Sequence, residues 1–458
     1  MSTNENSSIQ RQKSDVFYPV NSVKLNSSCV VNGGILCLSD SEKEELAVIF
    51  EEREESTSFF VPASGSGSRM FTELINFIQS GEQTELVNKF FEKLPELGLY
   101  REFPVIVREK IQDLQPVYIA EYLISEEGMN FLSRPKGLIP FHVLGDRVYN
   151  PFQEQLQQAL EILGENGKIH FTIQEGKEAE VKSSLMQLSK TALEENVSFS
   201  VQDSHSNSFC FEEDGSIVID NGLPLKRPAG HGALLENLNN LDEDLILIKN
   251  IDNVQHWTKS DLNREVWRYC GGLLIQFKKA LAELAQNYSE DGLMALNQKY
   301  QFLSDEEVAV CDAMNILNYA SRPSRVCGMV VNEGAPGGGP YWIEEDEMVS
   351  KQIVEKIQIE ANDLHLIEES SHFNPVFIAL SKSDCFGKLL DLTRFVDASK
   401  YLVVSKPYQG RTIKYKELPG LWNGGMSNWN SIFVEVPKEV FSPVKSLFDL
   451  LDEAHQAL

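Results

Sequence analysis

A glycine-rich turn follows an apolar run near residue 60 and has the composition of an anion-binding loop. The run Phe59–Pro62 predicts a buried strand, because a short apolar run closed by glycines is typical of one. Gly65 and Gly67 carry no side chain, so backbone N–H groups there are able to approach an anion closely. Ser68 adds a hydroxyl group, and Arg69 adds a planar guanidinium that suits phosphate. The stretch therefore predicts a phosphate-cradling turn.

Two common phosphate-binding designs do not fit this turn. A P-loop requires a lysine directly after its second glycine, whereas Gly67 is followed by Ser68. A dinucleotide-binding fingerprint requires a third glycine or alanine, and this chain has Met70 at that position. The next residues, Phe71–Ile78, have helical periodicity, which would direct the positive end of a helix dipole towards the same anion. The alternative interpretation is an ordinary glycine–serine turn.

A second candidate for phosphate chemistry is Lys136, in the sequence Pro135-Lys136-Gly137. Proline and glycine on either side place this lysine on a stiff turn, directly before an apolar run. A cation held in this way is suited to neutralising phosphate charge. Loop lysines are common, so an ordinary surface lysine is the alternative.

Composition excludes several classes of partner. Of the 458 residues, 42% are hydrophobic and 24% are charged, which is ordinary for a globular protein. Lys and Arg number 41 against 68 Asp and Glu, so the formal net charge is −27. A surface this acidic repels nucleic acid and anionic membranes, and we expect neither as a partner. An anionic substrate would need a locally basic pocket.

The cysteines and the apolar runs bear on the compartment. Seven cysteines without CxxC spacing indicate reduced thiols in a cytoplasm and no zinc site. The first 16 residues are polar, and no run of 18 apolar residues occurs. We therefore expect a cytoplasmic protein that is neither secreted nor membrane-spanning.

Helical and strand periodicities alternate along the chain, which predicts a parallel or mixed sheet with helices on its faces. Helices are predicted over residues 155–163, 181–196 and 261–286. Strands are predicted over residues 168–173, 197–202, 244–253 and 325–333. Apolar residues at helical spacing predict a helical insert over about 71–110.

The turn Ala63-x-Gly65-x-Gly67-Ser68-Arg69-Met70 is similar to the signature loop of the sugar-1-phosphate nucleotidyltransferases. In that superfamily a Pro-Lys pair follows the loop, and its lysine reaches the phosphates. The uridyl-transferring pyrophosphorylases have Pro-Lys-Gly, as at Lys136.

The order of motifs between residues 197 and 253 resembles the UDP-N-acetylhexosamine and UDP-glucose pyrophosphorylases most closely. Those enzymes have a strand with glutamine, an Asp-Gly hairpin, a Pro-x-Gly-x-Gly turn and a strand that ends in Asp-Asn. The corresponding residues here are Gln202, Asp214-Gly215, Pro228–Gly232 and Asp252-Asn253.

The resemblance implies a glycosyltransferase-A-like α/β fold. Its mixed, mostly parallel central sheet would have helices on both faces, with the helical insert and a C-terminal α+β region added. We expect an N-terminal arm and helix at 1–55, a nucleotidyltransferase-like core at 56–320, and the sugar-side half of the core with a C-terminal extension at 321–458. Residues 1 to about 30 are rich in serine and asparagine, which predicts a loosely ordered arm.

The resemblance also implies Mg²⁺-dependent transfer of a nucleotidyl group from a nucleoside triphosphate to a sugar 1-phosphate, with release of pyrophosphate. Arg69, Lys136 and Asp252 would be catalytic, and Asp252 would bind the metal. Asn332 and Glu333, at the polar end of the predicted strand 325–333, would bind the sugar. The nucleotide would be bound by Ala63, Gly65, Gly67, Ser68, Arg69, Gln202, Gly230, His231 and Gly232.

Departures from the superfamily pattern leave other functions open. Arg69 and Lys136 are 136 − 69 = 67 positions apart, whereas the two motifs are near neighbours in the superfamily. The insert would therefore have to loop out and return. His231 replaces the usual asparagine, which leaves the choice of base in doubt. The region beyond about 320 does not match well, so the resemblance implies a divergent, bacterial branch.

Two rival functions remain. One is a catalytically idle sensor of nucleotides or sugar nucleotides. The other is a glycosyltransferase that uses a nucleoside-diphosphate sugar. Such an enzyme would require an Asp-x-Asp motif at the end of the strand, whereas here Asp252 is followed by Asn253 and Val254. A glycine-rich stretch at 419–430 contains two tryptophans, which either line a ligand or anchor the loop on a core.

Overall fold

A computed structural model describes residues 3–65, 67–334 and 337–457. The chain divides into two compact units, each assembled from three stretches of sequence. The first unit comprises Met1–Ser56, Gln202–Leu247 and Arg268–Val436. The second unit comprises Thr57–Val201, Ile248–Trp267 and Pro437–Leu458. The predicted segments 1–55, 56–320 and 321–458 stay a prediction.

Three parallel strands form the sheet of the second unit. Thr57–Pro62 pairs with Lys168–Ile173, and that strand pairs with Val197–Val201. The first strand is buried on both faces, because Phe59, Phe60 and Val61 are each almost inaccessible to solvent. A strand covered on both faces has a continuous apolar sequence, and this is the pattern that predicted it.

Helices connect these strands, because parallel neighbours require long crossover connections. The helix Pro151–Leu163 begins at a capping box in which the Asn150 side chain accepts from Gln153 N–H and the Gln153 side chain accepts from Asn150 N–H. Pro151 at its first position supplies a φ angle already suited to a helix. The helices of the second unit are Thr72–Ser80, Glu85–Lys93, Gly98–Arg101, Val105–Arg108, Pro116–Ile124, Pro151–Leu163, Glu178–Leu188 and Lys190–Asn196.

The predicted helical insert is present and extends beyond residue 110, to the end of Pro116–Ile124. Its helices do not bury their apolar faces by themselves. They share a core with the C-terminal segment, residues 437–457, through Val444, Leu447 and Phe448. The rings of Phe90 and Phe448 lie 5.1 Å apart. Each such buried apolar side chain contributes roughly 1.5–3 kcal/mol, so the insert fixes the position of the C-terminal segment.

The first unit contains a mixed sheet. Gly34–Leu36 is parallel to Asn430–Glu435, which is parallel to Ser324–Val331, and Ser324–Val331 is antiparallel to Phe377–Ser381. Counting both units, the chain is α/β with a mixed, mostly parallel sheet, as the sequence predicts. Further strands of this unit are Leu25–Ser28, Gly339–Glu345, Met348–Val354, Leu402–Tyr408 and Arg411–Glu417. Its helices are Thr3–Phe17, Asp40–Glu51, Leu235–Asn239, Glu290–Tyr300, Asp305–Val310, Ala313–Ala320 and His365–Glu369.

The prediction of a loosely ordered arm over residues 1–30 is wrong. Thr3–Phe17 is a helix, and Leu25–Ser28 is a strand. Ile9 and Val16 are seven residues apart, so they lie on one face of the helix, where they pack with Phe209 and Phe211. These few apolar positions are hidden by the polar average of the segment.

Two elements that the sequence predicts run from one unit into the other. They are the strand Leu245–Lys249, which is shorter than the predicted 244–253, and the helix Asp261–Gln286, which has the predicted bounds. No helix in the described part of the chain combines the length and the apolar character that membrane crossing requires.

Candidate functional site

The glycine-rich turn lies at the carboxyl end of the strand Thr57–Pro62 and continues into a 3₁₀ turn, Gly67–Phe71. Ala63 is buried, and its N–H donates to the carbonyl of Thr172 at 2.8 Å. The side chains of Ser68 and Arg69 are exposed. A methyl group added at Gly65 would meet nothing within 4 Å. The turn is therefore open to solvent; Ser66 lies outside the described residues.

The turn and the Pro-Lys-Gly motif come together despite their separation in sequence. The position of a Cβ at Gly67 lies 3.4 Å from Lys136 Cα and 3.6 Å from the carbonyl oxygen of Arg134. The chain leaves through the helical insert and returns beside the turn at Phe131–Ser133. The glycine-rich turn and the Pro-Lys-Gly motif therefore lie side by side in the second unit. That the Arg69 and Lys136 side chains face one anion-sized gap stays a prediction.

Lys136 forms an ion pair with Asp252, with 2.6 Å between Nζ and Oδ2. The two side chains are 15% and 18% exposed, so the pair is shielded but still open to a ligand. Asp252 Oδ1 accepts no hydrogen bond from the described residues, which leaves one carboxylate oxygen available. A Cβ at Gly137 would lie 2.5 Å from the ring of Phe152, so this glycine lets the turn lie directly on the helix Pro151–Leu163.

Asp252 follows the buried strand Leu245–Lys249 by three residues, at its carboxyl end, as predicted. The loop that carries Asp252 is held by hydrogen bonds from the helix Pro151–Leu163 and from the C-terminal segment. Gln155 Nε2 donates to the carbonyls of Asn250 at 3.0 Å and Ile251 at 3.4 Å. From the C-terminal segment, Val444 N–H donates to the carbonyl of Asp252 at 3.1 Å. The position of the Asp252 carboxylate is therefore set by hydrogen bonds to its own backbone.

The structure adds Lys445, which the sequence interpretation missed. It follows Val444 directly, and its electrostatic partners include Asp252 and Lys136. Burial lowers the pKa of Lys445 and the charge of Lys136 lowers it further, while Asp252 and Asp449 oppose these effects. The available signal was Pro443-Val444-Lys445, a second lysine on a stiff proline-bearing turn.

These residues form a locally basic surface on an acidic protein. Lys136 and Lys445 lie next to Asp252, and Arg69 lies on the turn that packs against Lys136. Among the described residues no group of three His, Cys, Asp or Glu could hold a metal ion. A lone carboxylate with an open Oδ1 does fit Mg²⁺, which is often bound by one or two carboxylates together with substrate phosphates and waters. The arrangement is suited to a phosphate-bearing anion.

The residues expected to contact the base lie in the first unit, where the glycines of the Pro-x-Gly-x-Gly turn are required by packing. Gly230 has a φ of +73°, and a Cβ there would lie 2.5 Å from Glu417 Oε2. A Cβ at Gly232 would lie 2.0 Å from the carbonyl oxygen of Pro419. The turn is therefore packed directly against the strand Arg411–Glu417 and the stretch that follows it.

His231 is covered by the tryptophan-containing loop. Its ring stacks on Trp422 with centroids 4.1 Å apart and planes at 8°. Leu421 N–H donates to His231 Nδ1 at 2.9 Å, so the hydrogen-bond network assigns the proton of a neutral ring to Nε2. Nε2 lies 3.6 Å from Glu355 Oε1. Trp422 thus anchors its loop on the turn at Gly230–Gly232.

The remaining predicted residues also belong to the first unit. Gln202 follows the strand Val197–Val201, and its Nε2 is buried without a hydrogen-bond partner among the described residues. Asn332 follows the strand Ser324–Val331; its N–H donates to Ser371 O at 2.8 Å, and its Oδ1 accepts from Gly334 N–H. Glu333 is exposed. The sugar-binding role of Asn332 and Glu333 stays a prediction.

Comparisons with known proteins give one family match and several similar solved structures. A family model described as a domain of unknown function (DUF4301) matches residues 2–456. No curated protein matches the sequence. The structure is similar to a UDP-N-acetylglucosamine pyrophosphorylase from Trypanosoma brucei, with a TM-score of 0.47, 13% identity, and coverage of 98% of this chain and 79% of that one.

Two further similar structures are a UDP-glucose phosphorylase from Trypanosoma brucei and the UDP-glucose pyrophosphorylase from Leishmania major. The first has a TM-score of 0.46 and 13% identity, with 96% of this chain and 73% of that one covered. The second has a TM-score of 0.45 and 12% identity, with 98% and 75% covered.

Proposed function

The chain belongs to the family described as a domain of unknown function (DUF4301), and we propose that it transfers a nucleotidyl group from a nucleoside triphosphate to a sugar 1-phosphate. The observation that carries this proposal is the convergence of separated motifs. Lys136 packs beside the glycine-rich turn and pairs at 2.6 Å with Asp252 at the end of a buried strand. Open α/β sheets bind ligands at such carboxyl ends.

The proposed reaction needs no nucleophilic side chain. An oxygen of the sugar phosphate attacks the α-phosphorus, and pyrophosphate leaves with the bonding electron pair. Two anions must therefore be held in line, and the charge that develops on the leaving group must be neutralised. The exposed turn and Arg69 are suited to hold the triphosphate, and Lys136 and Lys445 are suited to neutralise the leaving pyrophosphate.

Asp252 has two tasks in this proposal. Its Oδ2 holds Lys136 in position, and its open Oδ1 would hold Mg²⁺. When bound, the ion would supply charge neutralisation and orientation for the phosphates. Gln202 and the Gly230–Gly232 turn with His231 are assigned to the nucleotide base, and Asn332 and Glu333 to the sugar. The buried, unpaired Nε2 of Gln202 supports its assignment, because such a donor is costly without a partner.

The proposal is tested by mixing the protein with a panel of nucleoside triphosphates and sugar 1-phosphates in Mg²⁺ and measuring pyrophosphate release. A thermal-shift screen of the same compounds identifies which of them bind, since a ligand specific for the native state raises its melting temperature. We expect release with at least one pair and its loss in Asp252→Asn. Binding without release for every pair would contradict transfer and favour a sensor.

A further inference from the structure

A buried cluster of titratable groups in the second unit takes no part in the proposed transfer. His142 Nδ1 lies 2.6 Å from Glu154 Oε1, and His142 Nε2 lies 2.9 Å from His455 Nδ1. The rings of His142 and His455 stack with centroids 5.2 Å apart and planes at 19°. His256 contacts the ring of His142 edge-on at 5.6 Å. Glu154, His142 and His455 are all buried.

The three linked groups form one consistent hydrogen-bond chain in their neutral forms. Burial raises the pKa of Glu154 well above its ordinary 4.5 and lowers the pKa of His142 to about 3. Burial, assisted by the neighbouring His142, His256 and Lys259, lowers the pKa of His455 to about 3. The Glu154 hydroxyl then donates to His142 Nδ1, and His142 Nε2–H donates to His455 Nδ1. A further proton on His455 Nδ1 would place two N–H groups against each other.

The chain of hydrogen bonds ends on the C-terminal segment, residues 437–457. His455 is ten positions after Lys445, and the residues between them bury Leu447, Phe448 and Leu450 against the helical insert. The neighbouring His256 N–H also donates to the carbonyl of Ala454 at 2.9 Å. Nearer its start, the same segment donates Val444 N–H to the carbonyl of Asp252. The segment is thus held near its end at His455 and near its start at Val444, where Asn253 and Asn263 also donate to the carbonyl of Val440.

We propose that His142 and His455 are positioning residues whose stacked, hydrogen-bonded pair fastens the C-terminal segment so that Lys445 lies beside Asp252, and that acidification releases it. The fastening stands on geometry alone, and only the catalytic consequence of losing Lys445 rests on the proposed function. The surface histidines of the chain lack this arrangement: His365, for example, is exposed.

The direction of the pH effect follows from the charges that face the pair. Lys259 is a nearby cation of His455. Lys249 interacts with Glu154, and burial lowers the pKa of Lys249 to about 7, so it gains charge as the pH falls and makes additional positive charge on the pair unfavourable. Glu154 is the facing carboxyl group, and Glu453 pairs with Lys259 at 3.6 Å. The raised pKa of Glu154 acts in the opposite direction to the histidines, but Glu154 belongs to the helix Pro151–Leu163 and not to the segment, so release of the segment is assigned to protonation of His455. Both histidines have lowered pKa values when docked, so docking is favoured above their ordinary pKa of about 6.5 and weakens as pH falls below it. His455 is the histidine on the segment, and between pH 7 and pH 5 its protonation after release favours the released state on the order of 10-fold.

The experiment is hydrogen–deuterium exchange of the full chain, read for peptides in residues 437–457 at pH 7 and pH 5 and corrected for intrinsic exchange. We expect the segment to exchange on the order of 10-fold or more faster at pH 5. His455→Ala should raise exchange already at pH 7. His455→Gln keeps an acceptor for His142 Nε2–H without titrating, so it should be protected at pH 7 and less sensitive to acid. His365→Asn is the matched control and should behave as the wild type.

Two results would overturn the proposal. One is equal corrected exchange at pH 7 and pH 5 in the wild type, and the other is full protection of the segment in His455→Ala. Should His455→Ala not fold, the acid sensitivity of His455→Gln relative to the wild type decides. Inorganic pyrophosphate binding by Lys445→Ala separates this proposal from the proposed function. If binding is unchanged while the exchange results hold, the fastening stands and the role of Lys445 in transfer falls.

Discussion

The two glycine turns of the chain differ in what their glycines contact. At Gly65 a side chain would meet nothing within 4 Å, and the backbone conformation there is one that other residues adopt. At Gly232 a Cβ would lie 2.0 Å from the carbonyl oxygen of Pro419, and Gly230 has a positive φ that favours glycine. Packing and backbone conformation explain why Gly230 and Gly232 are glycines, whereas neither explains Gly65.

The difference shows how much a motif says about ligands. A glycine that the protein itself requires would be present whether or not a nucleotide binds, so the Gly230–Gly232 turn is weak evidence for a base site. A glycine in open space has no such structural reason, and close approach of a ligand to its backbone is the remaining physical one. The phosphate side of the proposed site, which consists of the turn at Gly65, Arg69 and Lys136, is therefore better supported than the part assigned to the base.

The sharpest test of the phosphate side is Lys136→Ala. Losing one preorganised electrostatic partner lowers kcat by about 10²–10³-fold, roughly 2.7–4 kcal/mol. Pyrophosphate release measures this with whichever substrates the screen identifies. Lys93→Ala, which removes an exposed lysine paired with Glu96 in the same unit, is the matched control and should keep full activity. An unchanged rate in Lys136→Ala would remove this lysine from the mechanism.

Gly232→Ala tests the packing explanation of the second turn. The added methyl group meets a backbone oxygen that cannot move freely, and overpacking of this kind costs about 1–3 kcal/mol. The melting temperature of Gly232→Ala should fall, whereas that of Gly65→Ala should equal the wild-type value. If Gly232→Ala has the melting temperature of the wild type, the turn tolerates a side chain and its glycines need another explanation.

Much of the fold was readable from the sequence because several elements are long and strongly periodic. The strand Lys168–Ile173 and the helix Asp261–Gln286 have the predicted bounds. The convergence of Arg69 and Lys136 was predicted from charge, because two cationic motifs that serve one anion must meet. The N-terminal helix was missed, since its buried face consists of few apolar residues in a polar segment.

Contacts between distant parts of the chain account for what the sequence did not reveal. Lys445 lies 445 − 252 = 193 positions after Asp252, and its place depends on packing of the C-terminal segment against the insert. His231 and Trp422 are 422 − 231 = 191 positions apart, and neither local sequence indicates the stack. Such neighbours follow from tertiary packing, which no periodicity in either segment encodes.

Lys445→Ala measures how far the phosphate side extends. Lys136 forms the 2.6 Å ion pair with Asp252, whereas Lys445 is an electrostatic neighbour of the same carboxylate. We therefore expect a smaller effect than at Lys136: about a 10-fold weaker binding of pyrophosphate, ~1.4 kcal/mol. Titration calorimetry with inorganic pyrophosphate in Mg²⁺ provides the measurement. Lys438→Ala, in the same segment, serves as the comparison. Wild-type affinity in Lys445→Ala would confine the anion site to Arg69 and Lys136.

Gly65→Ala gives the smallest effect and the finest test of the comparison between the turns. Because the added methyl group enters open space, the melting temperature should change by no more than the usual surface substitution, about 0.5 kcal/mol in stability. If a phosphate approaches this backbone, the same methyl group must hinder it, and the triphosphate should bind about 2- to 5-fold more weakly, ~0.5–1 kcal/mol. Thermal-shift titration of one variant reports both quantities. Unchanged stability with unchanged binding would show that no ligand approaches Gly65, and the turn would then be an ordinary one.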